Sequence, residues 1–152
     1  MTAIAYLMAV AAIIALGLMT GALVAEGAIL VPFWRGLEPE AFLTWYKQHA
    51  KLLQKFFGPL EIVATLLTIA ASALLWVGRH SGWPMFAASG FLGVAVLGVF
   101  PIYFQSANTS FAKGTIHLDR VNQELRRWSR WHWFRTIMAG AGFVLSVIGF
   151  GE

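Results

Sequence analysis

The first 25 residues, MTAIAYLMAVAAIIALGLMTGALVA, contain no charged side chain. A helix of about 20 apolar residues is enough to cross the hydrocarbon core of a bilayer. In that core only helices and closed barrels satisfy their own backbone groups. The run therefore predicts a transmembrane helix. A secretory leader is the competing reading, but it would want a basic stretch ahead of a shorter apolar core, and no Lys or Arg precedes Arg35.

Three further apolar runs give four spans in one membrane domain over residues 1–152, at about 4–26, 60–78, 84–105 and 133–150. Only 12% of the residues are charged, against roughly 25% in a soluble domain. With no cysteine there is no disulfide framework, thiolate ligand or cysteine nucleophile.

The basic residues set the orientation. Arg35, Lys47, Lys51 and Lys55 lie between spans one and two, and Lys113, Arg120, Arg126, Arg127 and Arg130 between spans three and four; the second link has only Arg79. The positive-inside rule then puts both long links in the cytoplasm and both termini outside, in a membrane of the bacterial cytoplasmic type. The net charge of +4 is accounted for by that rule and by anionic headgroups, so it makes no case for a nucleic-acid partner.

Neither long link is featureless. Over about 38–57, Phe42, Trp45, Tyr46, His49, Leu52, Leu53 and Phe56 recur at spacings of three and four, beside a basic line of Lys47, Lys51 and Lys55. This is an amphipathic helix that either lies flat on the cytoplasmic face or runs into span two with a kink at Gly58-Pro59. The stretch SANTSFAKGTIH reads as a loop, after which Asp119 is placed to cap a helix running on into span four. Trp128, Trp131 and Trp133 would then sit at headgroup level. The expected fold is an all-α integral membrane four-helix bundle with a cytoplasmic interfacial amphipathic helix.

This topology brings Glu26, Glu61, Asn108 and Arg135 to one membrane depth, with His49 and His132 nearby. His132, Arg135, Ala139, Gly142, Ser146 and Gly149 share one face, and small residues mark the packed side of a membrane helix. Gly17, Gly21 and Ala25 form a similar line toward Glu26. The result is a candidate pocket at the cytoplasmic mouth of the bundle, where bundles commonly build ligand sites from facing side chains. His49, His132, Glu26 and Glu61 also have the chemistry of an iron, zinc or manganese site, so the cofactor is either absent or a His/Glu-bound metal ion. Structural roles compete at each position: Arg135 snorkelling to headgroups or pairing with Glu26 or Glu61, His49 as a packing residue, the tryptophans as interfacial anchors. His80 and His117 read as solvated. No phosphate-binding glycine loop, HExxH or Gly-x-Ser-x-Gly elbow is present.

Two stretches, FPIYFQSAN at 100–108 and RRWSRWHWFRT at 126–136, together with the glycine-bearing first span, resemble the anthrone-oxygenase-like family of small four-helix membrane proteins. The family's proline and later asparagine at the end of span three are matched by Pro101 and Asn108. Its tryptophan, Asn or His, and Arg ahead of span four are matched by Trp128 or Trp131, His132 and Arg135. The resemblance implies a site of Asn108, His132 and Arg135 and O2-dependent oxidation of a lipophilic aromatic that enters from the bilayer. It carries no specific substrate. If that chemistry holds, His132 or His49 would remove an acidic carbon-bound proton, and Arg135 and Asn108 would hold the oxyanion that develops. The alternatives are a non-enzymatic binding, accessory or structural subunit, as a homo-oligomer or within a larger membrane complex, and then a small transporter.

Overall fold

The computed structural model describes residues 1–152, and every regular element is helical. Four helices, α1 (Ala3–Arg35), α2 (Pro39–Val77), α3 (Trp83–Lys113) and α4 (Leu118–Gly151), are each long and apolar enough to cross a membrane. Their connections, 36–38, 78–82 and 114–117, are short, so consecutive helices pack as antiparallel neighbours. α1 and α3 each pack against α2 and α4, which gives a four-cornered bundle. Helices of 31–39 residues are roughly 46–58 Å long, well beyond a hydrocarbon core of about 30 Å. The surplus carries the charge. Apart from Arg79 and Arg135, every Lys and Arg lies on the half of the bundle holding connections 36–38 and 114–117.

The amphipathic stretch 38–57 is the first half of α2, with helical structure unbroken through Pro59. It is not a separate helix lying flat on the surface. Phe42 packs on Trp34 of α1 and on Phe111 of α3, so this half of α2 reaches across to helices that are otherwise diagonal in the bundle. The energetic reason is an aromatic core: Trp34, Phe42, Phe104, Phe111 and Trp128 are all 2% exposed or less, and each buries the large apolar area typical of aromatic side chains. The same core corrects the expected loop at SANTSFAKGTIH. Ala107 and Phe111 bury against it, which holds α3 helical to Lys113, where Gly114 closes the helix at φ 63°. Asp119 lies in the first turn of α4, and His117 takes the cap position.

Below the aromatic core the packing is aliphatic, first around Leu16, Met19, Leu23, Ala64 and Val96 and then around Ala5, Ala9, Ala12, Ala71 and Phe86. Along the regular part of α1 the buried residues Ala5, Ala9, Ala12, Leu16, Met19, Leu23 and Glu26, with Ala15 beside them, alternate spacings of four and three, the seam of two packed helices. Gly21 and Ala25 fall outside this seam and are exposed, so of the small-residue line read in span one only Gly17, half-buried against Phe143, meets another helix. Next, Glu26–Leu30 form a wide π-helical turn, in which Val31 N–H bonds to the Glu26 carbonyl. The extra residue rotates the seam by one position. Val31 and Trp34 become buried, while Ile29 and Phe33 face outwards. Pro32 favours this widening, because a proline ring clashes with the carbonyl of a regular helical turn. The same device recurs beside Pro101, where Phe100–Phe104 widen and bring Tyr103 and Phe104 inwards while leaving Ile102 exposed.

Candidate functional site

Between the aromatic and aliphatic cores lies a buried polar layer. Its residues come from three helices: Glu26 ends the regular seam of α1, Glu61 opens the seam of α2, and His132 and Arg135 sit one turn apart on α4. All four are at most 6% exposed. The face that continues through Ala139, Gly142, Ser146 and Gly149 is buried as expected from the spacing.

Arg135 is the centre of the layer. Its Nη2 donates to Glu26 Oε2 at 3.0 Å and its Nη1 to Glu61 Oε1 at 3.2 Å. Its Nε donates to His132 Nδ1 at 3.3 Å. The guanidinium carbon lies 4.3 Å from the centre of the Phe104 ring, a cation–π distance that replaces part of the lost hydration. Arg135 therefore does not snorkel outwards.

The partners of His132 fix its tautomer. Nε2 lies 2.8 Å from the Leu23 carbonyl oxygen, which only accepts, so Nε2 carries the proton. Nδ1 faces the guanidinium N–H groups, which only donate, so Nδ1 is bare and the ring is neutral. Glu26 Oε2 is also 3.4 Å from Nδ1, but Arg135 lies closer to that nitrogen, at 3.1 Å from Nη2. The imidazole is stacked on Trp128 with centroids 5.1 Å apart and planes within 8°.

Asn108 joins the layer at one remove. Its Oδ1 accepts from Trp128 Nε1 at 2.8 Å, so the indole stands between Asn108 and His132. Trp128 is thus a core residue, 2% exposed, and not a headgroup anchor. His49 stands apart. Its Nδ1 pairs with the Trp45 carbonyl at 2.8 Å and its ring stacks on Trp45, so its nearest chemistry is its own helical turn. The donor set His49, His132, Glu26 and Glu61 does not converge, and no group of three His, Cys, Asp or Glu side chains is placed to hold a metal. The physical reason is Arg135, whose guanidinium fills the space between the two carboxylates that a metal ion would need.

Three further residues shape this geometry without a clear signal in the sequence. Gly27 lets α1 approach α4: a methyl there would meet Trp133 Cζ2 at 2.9 Å and His132 Cδ2 at 3.0 Å. Thr136 donates to the His132 carbonyl at 2.8 Å. Phe104 supplies the ring under Arg135. Only Gly27 left a trace in the sequence, as a glycine directly after a membrane-embedded acid. Three surface cavities stand out, one between α3 and α4 and two near connection 78–82, and none is lined by the four residues of the polar layer.

A family model described as anthrone oxygenase matches residues 42–145. The match takes in His49, Glu61, Asn108, His132 and Arg135 and leaves Glu26 outside it. No curated protein and no solved structure matches the chain.

Proposed function

The chain belongs to the anthrone oxygenase family, and from that premise we propose that it is a membrane-embedded oxygenase acting on a lipophilic, enolisable aromatic ketone at the polar layer. The observation that carries the reading is the unprotonated Nδ1 of His132, which accepts from Arg135 in a buried layer that also holds two carboxylates. Such a layer in a membrane span is costly and is usually retained for function. In this reading the substrate approaches past Trp133: Gly27 packs against both the imidazole edge and the Trp133 ring, and Trp133 is itself 37% exposed.

In the proposed reaction His132 Nδ1 takes a proton from the activated CH2 of the substrate, and Arg135 turns its N–H groups to the enolate oxygen. A donor aimed at developing charge is most effective in a water-poor site. The carbanion combines with O2, is protonated to a hydroperoxide, and loses water to leave a ketone, so CH2 and O2 become C=O and H2O. Asn108 acts through Trp128 as a positioning residue for the imidazole. The half holding connections 36–38 and 114–117 faces the cytoplasm in this reading, on the strength of its basic residues.

A second reading is favoured by one observation: Arg135 satisfies both carboxylates and His132 at once, as a purely structural pin in an accessory subunit would. One assay separates the two. Detergent-purified protein is given an anthrone under air, and O2 uptake is followed beside His132→Gln, with folding checked by circular dichroism. Loss of about 10²- to 10⁴-fold in rate with the fold intact is the expected result for a general base. No uptake above buffer, or an unchanged rate in the variant, would leave the structural pin as the reading.

A further inference from the structure

On the basic half of the bundle, α3 and α4 flank a groove of about 690 Å³. Arg120, Arg127 and Arg130 line it from α4, Ser106 lines it from α3, and Ile102 lies at its end nearer the spans. The spacing of seven and then three keeps the arginines on one face, beside the buried face that carries Val121, Leu125 and Trp128.

None of these arginines forms an ion pair with a carboxylate of the protein. The ion pairs of the molecule, Arg135 with Glu26 and Arg135 with Glu61, both belong to the buried polar layer. Glu124 is the one carboxylate in the groove, and it accepts the Tyr103 hydroxyl at 2.7 Å, while Arg127 lies over the Tyr103 ring at 5.2 Å. The groove therefore holds three guanidinium groups against one engaged carboxylate. Beside it Ile102 is 73% exposed, so a positive cavity adjoins bare apolar surface. That pairing suits an amphiphile with an anionic head.

We propose that this groove binds the headgroup phosphate of an anionic phospholipid, with the acyl chains leaving over Ile102. Guanidinium forks match phosphate oxygens in geometry as well as charge, and each cation near an anionic membrane surface strengthens binding about fivefold. The line Lys47, Lys51 and Lys55 on α2 has the same charge but lines none of these cavities, which makes it the control.

The test is native mass spectrometry of the detergent-purified full chain with phosphatidylglycerol, phosphatidylcholine and glycerol 3-phosphate as probes. Wild-type protein is expected to retain phosphatidylglycerol in preference to the other two. The Arg120→Gln, Arg127→Gln, Arg130→Gln variant should bind it on the order of 10²-fold more weakly, while Lys47→Gln, Lys51→Gln, Lys55→Gln should bind as wild type. Equal losses in both variants would reduce the effect to net charge and overturn the site. Equal retention of phosphatidylcholine would overturn the headgroup preference, and glycerol 3-phosphate binding as tightly as the lipid would make the ligand a soluble phosphate. Thermal unfolding confirms that the triple variant is folded; if it is not, Arg127→Gln alone should still weaken binding about fivefold.

Discussion

Replacing Arg135 with methionine keeps much of the side-chain volume and removes the only cation in the polar layer. Glu26 and Glu61, 6% and 4% exposed, would then face one another's layer with no donor in place of Nη1 and Nη2. Breaking one buried ion pair by deleting a partner costs about 3–5 kcal/mol, and this substitution breaks two. It also strips a donor from His132 Nδ1, a hydrogen bond of roughly 1 kcal/mol. A loss of at least about 4 kcal/mol is therefore expected for Arg135→Met alone. Adding Glu26→Gln and Glu61→Gln should restore most of it, because a neutral layer has no stranded charge. The assay is equilibrium unfolding in detergent micelles, followed by tryptophan emission, on the single and triple variants. A single variant within about 1 kcal/mol of wild type, or a triple variant no better than the single, would refute the account of Arg135 as the charge at the centre of the layer. The triple variant also bears on function: a bundle that regains stability but takes up no O2 has lost chemistry and kept its fold.

Gly27→Ala would press a methyl against His132 and Trp133 and should cost about 1–3 kcal/mol, read by thermal unfolding. Trp34 Nε1 is buried without a partner, whereas Trp128 Nε1 bonds Asn108; Trp128→Phe should therefore be costlier than Trp34→Phe by at least about 1 kcal/mol in the same measurement. Arg79 holds φ at 52° after the end of α2, a left-handed conformation that suits glycine, so Arg79→Gly is expected to stabilise by about 1 kcal/mol and raise Tm.

Four spans and an inward-facing His132 and Arg135 are legible because both are local properties: an uncharged run and a spacing of three and four. What escapes is set by partners distant in sequence. Nothing in SANTSFAKGTIH shows that Phe111 will meet Phe42, so its polar composition reads as a loop. The wide turn at Glu26–Leu30 shifts which later residues of α1 face inwards, so a pattern read with one constant period misses Val31 and Trp34; Gly21 and Ala25 lie ahead of that turn, and small side chains alone do not show which face of a helix packs. His49 matches the apolar stripe of its helix, yet its closest contacts are with Trp45, one turn away. That Asn108 meets the indole of Trp128 and not the imidazole of His132 is a tertiary fact.

The ion pair between Glu26 and Arg135 joins residues 109 positions apart, and this has a consequence for biogenesis. At about 5–20 residues per second, a ribosome needs several seconds or more to make Arg135 after Glu26 has emerged. Once Glu61 has followed, two acidic helices are present and their cation is not yet made. The last span is then the one that completes the charge balance, so the polar layer closes only at the final step of synthesis.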